Sequence, residues 1–528
     1  MEGLLAWAEG SGLFAGLRAL NRGLWRLWSG STTGRCLGGS LGRAWRTSAA
    51  GTLWAALVAL AGRSAAVTLV AAQAPPRPSL VARGLRRIMG AEREPFRATG
   101  FEHVLLYFLI FFVPLELWLI TRLPSATKYL GDLALVLLLL VALIRVQQAG
   151  WPLRRTPADL PVVTLLLAGI LSAVANAVPV HIAALGLRAY VEYYGLYLVL
   201  VYLPLAERQQ RNLLLWFLVL GVAIALFGDA QKFLHVATPR QWLSSIEQAT
   251  TRAFGTLGNP NTFGAFLVLL LSLLGSFLVV PVRGGLRLLA LLGVVVALPA
   301  LLFTLSREAL LAFAVVAVFI ALIADRRLLV PIVLVALALP FLDPHVVSRF
   351  SDLLSNGYIH ESSTYGRLLF WERGVQAWLA QPLLGWGPGR FGGSIAHDFG
   401  SPAYQFVKLG LRPIIDSQHV QTLTELGAVG YLAYLALGVA ALGSGLRLFR
   451  RDQDPFWRAV GLGLAAGTIG LYVQSLFASL LETHEVIIAF WFVFGLAASR
   501  LMRTRAAGPA PEAIMETRPE VPAARPTA

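Results

Sequence analysis

The sequence predicts an all-α polytopic membrane protein, and three observations carry this prediction. Of its 528 residues, 57% are hydrophobic and only 14% are charged, whereas ordinary soluble domains carry about 25% charged residues. Mostly apolar runs of about 20 residues, the length that crosses a bilayer, recur along the chain. The arginines fall mostly between these runs, where topology signals are expected. A membrane bundle therefore explains the composition better than a soluble fold does.

The apolar runs give about twelve candidate transmembrane helices. They begin near residues 101, 131, 159, 186, 212, 263, 288, 308, 329, 418, 456 and 486. With a cytoplasmic N-terminus, every short inner connection between them is basic, and the C-terminal tail opens with Arg500 and Arg503. This agreement with the positive-inside rule predicts a multi-pass protein of the cytoplasmic (inner) membrane with both termini in the cytoplasm.

The same predicted topology divides the chain into three regions. Residues 1–98 are expected to form a cytoplasmic or interfacial amphipathic extension, because an arginine interrupts its most apolar stretch. Residues 99–502 carry the spans and two long extracytoplasmic segments, 229–262 and 344–417, in which amphipathic helices and chemistry are expected. Residues 503–528 are rich in proline and alanine and are predicted to be a disordered cytoplasmic tail.

Charge and cysteine content narrow the possible functions. The formal net charge of +16 would suit a nucleic-acid-binding protein, but the position of the arginines favours topology signals, so no nucleic-acid partner is expected and membrane lipids are. The single cysteine, Cys36, excludes an internal disulfide and argues against a cysteine-built metal site.

The segment RLLFWERGVQAWLAQPLLGWGPGRF (367–391) stands out between two membrane-type stretches. Its spacing predicts a helix over 367–380, ended by Gln381-Pro382. The apolar stripe of this helix, which could rest on the bundle or on the membrane surface, consists of Leu368, Trp371, Val375, Trp378 and Leu379. The turn that follows contains Gly387 and Gly389, whose backbone can approach a ligand closely. Arg367 offers a planar fork that matches phosphate oxygens, although an arginine that snorkels at a helix edge is the simpler alternative.

Two further arginines are expected at the same face of the membrane. Arg252 precedes a glycine-rich turn that ends at Asn261, just before the sixth span. Ser306 and Arg307 open the eighth span, where serine can cap the helix and the helix N-terminus attracts anions. Arg307 alone could be a mere topology residue, but with Arg252 and Arg367 it predicts an anion site.

The tenth span opens at that face with DSQHVQTLTELGAVG (416–430). Asp416 and His419 lie one helical turn apart on one face, and Gly427 and Gly430 permit close helix packing. Asp416 could be a plain N-cap. Together with the arginines, however, this carboxylate–histidine pair indicates chemistry at the outer rim of the bundle.

These motifs resemble the O-antigen ligase and polymerase superfamily of membrane glycosyltransferases. The matching elements, in chain order, are RAFGTLGNPN, SR at the start of a span, GRLLFWERGVQAWLAQPLLGWGPGRF and DSQHVQTLTELGAVG. The resemblance covers about residues 100–500. It implies transfer of a glycan from a polyprenyl-diphosphate-linked donor to a hydroxyl of a glycan, lipid or protein acceptor, in cell-surface polysaccharide biosynthesis.

The resemblance also implies roles for individual residues. Arg307 and Arg367 correspond to the family's paired arginines, which stabilise the departing diphosphate where its charge develops; Arg252 is expected to assist them. Neither a nucleotide sugar, a cofactor nor a metal is expected, because arginine takes the electrostatic role of a metal ion. Ser306, Asn261, Gly387 and Gly389 are expected to support this site.

The sequence departs from the lipopolysaccharide-type ligases at one position. Those proteins usually carry histidine and a small polar residue where this chain has Asp416-Ser417. Asp416 could be the general base, provided that burial raises its pKa; His419, oriented by Asp416, is the alternative, and a structural role for both is the third. The difference argues against a lipid A-core acceptor and favours a polymerase or another ligase.

Two other classes of function stay open. A transporter of a small anion such as bicarbonate would place ionisable residues and helix breaks near the bilayer midplane. The polar candidates lie instead near span ends, which favours surface chemistry. A scaffold for envelope assembly would need no convergent arginines.

Overall fold

The computed structural model describes residues 100–120, 129–149, 155–203, 205–239, 251–342, 367–401 and 416–506. These ranges contain helices and no strand, so the all-α prediction is confirmed for them. The predicted N-terminal extension and residues 507–528 of the predicted tail lie outside the described residues.

The α-helices are numbered here in chain order. They are α1 (Gly100–Phe112), α2 (Glu116–Ile120), α3 (Leu130–Ala149), α4 (Asp159–Ala175), α5 (Val180–Val191), α6 (Tyr194–Tyr202), α7 (Glu207–Phe233), α8 (Pro260–Val279), α9 (Gly284–Phe303), α10 (Arg307–Ala324), α11 (Leu329–Leu342), α12 (Arg367–Ala380), α13 (Gly393–Phe399), α14 (Gln418–Arg451), α15 (Pro455–Gln474) and α16 (His484–Ala506). Short 3-10 turns occupy Val113–Leu115, Arg326–Leu328 and Leu480–Glu482.

Within the described ranges, eight segments are long and apolar enough to cross a membrane. They are Glu102–Leu119, Glu207–Phe233, Pro260–Val279, Gly284–Phe303, Arg307–Ala324, Gln418–Arg451, Pro455–Gln474 and His484–Thr504. The other four predicted spans coincide with α3, α4, the α5–α6 pair and α11, whose apolar stretches are shorter. A polytopic membrane protein is therefore supported, and the count of twelve stays a prediction.

The chain divides into two compact units. Of the described residues, those within 1–109, 129–156 and 202–209 form the smaller unit, and those within 110–128, 157–201 and 210–528 form the larger one. All the candidate site residues belong to the larger unit.

Helix α15 lies at the centre of the larger unit, packed against α8, α10, α14 and α16. Small residues make this packing possible. A Cβ atom on Gly461 would lie 2.6 Å from the carbonyl oxygen of Gly445 in α14, and one on Gly467 would lie 2.6 Å from Leu269 in α8. Association of membrane helices depends on such close approach, because lipid offers no hydrophobic drive between them.

The helix ends that build the site meet at one end of this bundle. The starts of α8 and α10 touch, since a Cβ on Gly264 would lie 2.6 Å from the Cβ of Ala309. Gln474, the last residue of α15, donates from Nε2 to the carbonyl oxygen of Asn261 at 3.0 Å. The start of α14 joins them through the backbone N–H of Gln418, which donates to the carbonyl oxygen of Ser475 at 2.9 Å.

The opposite end of the bundle is rich in arginine. Arg211 pairs with Asp454, and Arg500 pairs with Asp452 at 2.7 Å. Because Asp452 and Asp454 form the connection from α14 to α15, these ion pairs fix that turn to α7 and α16.

The close contact at Gly461 predicts a large effect of one methyl group. Gly461→Ala would force α14 and α15 apart and is expected to destabilise the protein by about 1–3 kcal/mol. The matched control is Gly443→Ala in α14, where the nearest neighbouring atom, on Arg447, is 3.9 Å from the added Cβ. The control should be neutral or slightly stabilising, because alanine favours a helix interior. The thermal unfolding midpoint in detergent measures both; equal midpoints would contradict the packing described.

Candidate active site

Arg252 is anchored in the connection between α7 and α8. Its side chain is buried, and it donates from Nε to the carbonyl oxygen of Thr304 at 2.9 Å and from Nη2 to Oδ1 of Asn261 at 3.0 Å. Burial lowers the pKa of Arg252 to about 10, and Glu308 opposes that effect while Arg307 and Arg367 reinforce it. The guanidinium therefore stays positively charged at neutral pH and lies within electrostatic reach of two further arginines.

The residues of the turn that follows Arg252 adopt the conformations that their types favour. Gly255 and Gly258 have φ values of +58° and +70°, a region open to glycine at little cost. Asn259 caps α8 by accepting from the backbone N–H of Asn261 at 2.8 Å, and Pro260 takes the first helical position. The expected break before the sixth span is thus present.

Arg307 begins α10 after a very tight connection from α9. Leu305 has a φ of +50°, which reverses the chain within Thr304–Ser306. Ser306 occupies the N-cap position, but its hydroxyl makes no capping hydrogen bond, so the expected side-chain cap is wrong. The Ser306 hydroxyl is buried and has no hydrogen-bond partner among the described residues.

Arg367 begins α12 and forms an ion pair with the residue next to Arg307. Its Nη1 lies 3.2 Å from Oε2 of Glu308, whose side chain is 4% exposed, whereas that of Arg367 is 32% exposed. Since Glu308 and Arg307 are neighbours in the first turn of α10, this ion pair brings Arg367 and Arg307 to the same end of the bundle.

Helix α12 spans Arg367–Ala380, as predicted, and small residues make its contact with α14. Gly374 and Ala377 are buried against α14 and Phe391. Leu368, Val375 and Leu379 of the predicted apolar stripe are 44%, 40% and 62% exposed. Small residues let the two helices touch, so the bulky stripe does not make the contact with α14.

The glycine-rich turn after α12 binds the backbone of α14, where the helix is broken. Gly427 has φ +65° and ψ −167°, a non-helical conformation, which frees backbone groups on both sides of it. The N–H groups of Trp386 and Gly387 donate to the carbonyls of Thr424 and Glu425, each at 2.9 Å, and the N–H of Ala428 donates to Pro382 at 2.8 Å. A broken membrane helix is tolerated when neighbours restore its hydrogen bonds in this way.

Gly387 and Gly389 therefore make close contacts inside the protein. A Cβ on Gly387 would lie 2.4 Å from Val178, and one on Gly389 would lie 3.2 Å from the carbonyl oxygen of Ile182 in α5. The space beside these two glycines is filled by α5 and the residues just before it, and their approach to a ligand stays a prediction. They support the loop that carries Arg390 and Phe391.

Asp416 lies just before α14, whose N-cap is Ser417. The Ser417 hydroxyl accepts from the N–H of Val420 at 3.3 Å, so the capping role considered for Asp416 belongs to its neighbour. Burial raises the pKa of Asp416; the charge of Arg367 opposes this effect and that of Glu482 reinforces it. Asp416 is thus a carboxylate beside Arg367, in surroundings that make it a stronger base than an ordinary aspartate.

His419 points away from this group. Its Nδ1 lies 3.0 Å from the hydroxyl of Tyr431, and its Nε2 lies 3.1 Å from the carbonyl oxygen of Tyr472. Because a carbonyl only accepts, Nε2 carries a proton, and in the neutral ring Nδ1 accepts from Tyr431. The expectation that Asp416 orients His419 is wrong, and both ring nitrogens already have structural partners.

The sequence patterns did not point to two further glutamates, the buried Glu425 and the half-buried Glu482. Glu425 is fully buried and accepts from the N–H groups of Phe391 and Gly392 at 3.2 and 3.3 Å and from the hydroxyl of Tyr190 at 3.1 Å. Glu482 accepts from Nε2 of Gln421 at 2.7 Å and from Ser394. Their position in the sequence could have identified them, because a carboxylate inside or beside a membrane helix requires polar partners.

The described site is thus a compact group of charges from four segments of the chain. Its members are Arg252, Arg307, Glu308, Arg367 and Asp416, each within electrostatic reach of at least one other. Three cations and two carboxylates lie at one end of the bundle. Such an arrangement can bind a multiply charged anion next to a proton acceptor.

Comparison with known proteins adds one match. The family model described as O-antigen ligase matches residues 292–435, a stretch that contains Arg307, Arg367 and Asp416 but not Arg252. No protein of curated function matches the chain. The match indicates a membrane glycosyltransferase-type role in polysaccharide biosynthesis. Through this segment, the chain is similar to the O-antigen ligase family, and the match supports membership of it.

Proposed function

We propose that this protein transfers or polymerises a polyprenyl-diphosphate-linked oligosaccharide onto an acceptor hydroxyl at the outer face of the cytoplasmic membrane. The observation that carries the proposal is the convergence of Arg252, Arg307 and Arg367 beside Asp416. A diphosphate leaving group gains negative charge as its bond to the sugar breaks, and prepositioned guanidinium groups stabilise that charge most in the transition state.

Each charged residue then has one role in the reaction. Arg307 and Arg367 bind the diphosphate oxygens, and Arg252, held by Thr304 and Asn261, adds to the positive potential. The acceptor hydroxyl attacks the anomeric carbon while Asp416 takes its proton, and the bond between that carbon and the diphosphate oxygen breaks. A single displacement of this kind inverts the anomeric configuration. The arginines supply the charge stabilisation, so the proposal needs no metal ion.

The distribution of charge supports the proposed orientation. The end of the bundle opposite the site carries arginines in its short connections, among them Arg283, Arg326 and Arg327. By the positive-inside rule this basic end faces the cytoplasm, and the site then faces outward. There it meets lipid-linked donors at the level of the membrane surface.

One observation bears on the alternative of an anion transporter. A discontinuous membrane helix is typical of transporters, and α14 is broken at Gly427 next to the buried Glu425. In this protein, however, the loop 382–387 binds the freed backbone groups on both sides of the break. Backbone groups that could bind a transported ion are thus already hydrogen-bonded to the loop, which favours the glycosyltransferase.

Removal of either paired arginine is expected to abolish most activity. Arg307→Ala and Arg367→Ala should each lower glycan transfer by about 10²–10³-fold, the usual effect of losing one transition-state donor. Arg367→Lys should also be poor, because lysine lacks the bidentate fork. The measurement is transfer by purified protein from a polyprenyl-diphosphate-linked glycan, with membrane insertion checked separately.

The matched control is Arg373→Ala on the same helix as Arg367. Arg373 bonds Gln376 on its own helix at 2.8 Å, so the control should keep activity within a few-fold. Near-normal transfer by both Arg307→Ala and Arg367→Ala would defeat the proposal, and bicarbonate flux without glycan transfer would favour the transporter.

A second comparison identifies the base. Asp416→Asn is expected to lower kcat by about 10²–10⁴-fold, whereas His419→Ala should retain most of it. The reactive form of Asp416 is the ionised one. Because burial raises its pKa above the ordinary value of 3.8, the wild-type rate should fall as the pH is lowered through that raised pKa, and Asp416→Asn should lose this limb of the profile. Persistence of the limb in Asp416→Asn, or its loss in His419→Ala, would reassign the base.

A further inference from the structure

Glu308 is a carboxylate placed where an anion is expected to bind. It is the second residue of α10, directly after Arg307, and only 5% of its surface is exposed. Its Oε2 lies 3.2 Å from Nη1 of Arg367, and the charges of Arg252 and Asp416 also reach it. A buried carboxylate is costly unless it is paired, so its presence among the arginines requires a reason.

Charge balance before the donor binds supplies this reason. The charges of Arg307 and Arg367 repel that of the buried Arg252, and the negative charge of Glu308 offsets part of that repulsion. The same charge is unfavourable once a diphosphate arrives, because two anions then compete for the donors of Arg367.

The geometry of Glu308 suits an exchangeable contact. Its contact with Arg367 is made through Oε2, whereas Oε1 is buried and has no hydrogen-bond partner among the described residues. Arg367, in contrast, is about one-third exposed, so a ligand can reach it from outside. A pair held through one carboxylate oxygen is easier to replace than a bidentate pair.

We propose that Glu308 is an exchangeable counter-ion, which neutralises Arg367 in the empty site, yields to the diphosphate of the donor and then helps to expel the polyprenyl diphosphate product. This inference rests on the function proposed above. Glu308 acts through Arg367 and is a positioning residue; it makes no bond to the reacting atoms.

The test is the binding of a farnesyl diphosphate probe to the purified full-length protein, followed by kinetics with the full donor. Glu308→Gln keeps the shape and removes the charge. It is expected to bind the probe about tenfold more tightly, because one nearby like charge is gone. The KM for the donor should fall, and kcat should fall with it, because product release becomes slower.

The matched control is Glu372→Gln, which removes an exposed carboxylate from α12, the helix of Arg367, and should change neither quantity. The double variant Glu308→Gln/Arg367→Ala should bind the probe like Arg367→Ala alone. Glu308→Asp, which keeps the charge on a shorter side chain, replaces Glu308→Gln in this test if Glu308→Gln does not fold. It should bind the probe more tightly than the wild type, by a smaller factor than Glu308→Gln.

The possible failures are distinguishable. Unchanged or weaker probe binding by folded Glu308→Gln, or by Glu308→Asp in its place, would overturn the proposed counter-ion role of Glu308. If Arg367→Ala also bound the probe more weakly, the proposed function would remain intact. Probe binding unaffected by Arg367→Ala would overturn both the proposed function and this inference.

Discussion

The ion pair between Arg367 and Glu308 is the contact on which the candidate active site depends. It joins the first turn of α12 to the first turn of α10, two helices separated in sequence by a long segment. Because Arg307 adjoins Glu308, the same contact brings the paired arginines to one place. Arg252, fixed to the end of α9 by its bond to Thr304, completes the cluster.

The surrounding structure holds this cluster by satisfying polar groups inside a membrane bundle. The break in α14 at Gly427 would expose backbone groups, and the loop after α12 binds them. Glu425 and Glu482 then fix the continuation of that loop through the N–H groups of Phe391, Gly392 and Ser394. The position of α12, and with it that of Arg367, thus follows from hydrogen bonds that a membrane interior makes obligatory.

Most of the helices and the main site residues could be predicted from the sequence because they depend on local chemistry. Apolar run length and arginine placement predicted the helices, and the proline after Gln381 predicted the end of α12. The motifs around Arg252, Arg307, Arg367 and Asp416 predicted which ends would meet. In each case the signal lay within about 20 residues of chain.

What the sequence did not predict depends on contacts across the bundle. Helical spacing placed His419 beside Asp416, but Tyr431 and Tyr472 hold its ring in another direction. Spacing identified the bulky stripe of α12 but not Gly374 and Ala377, the small residues through which α12 approaches α14. The partner of Glu308 could not be identified without knowing that α12 begins beside α10. An acidic residue next to an arginine at the start of an apolar run did, however, indicate that Glu308 would need a charged partner.

The central claim is that arginines from separate segments share one diphosphate. A structure of the full-length protein with a bound polyprenyl diphosphate tests it most directly. We expect guanidinium nitrogens of Arg307 and Arg367 within about 3 Å of phosphate oxygens, with the carboxylate of Glu308 turned away from Arg367. A diphosphate bound elsewhere, or held by only one of these two arginines, would contradict it.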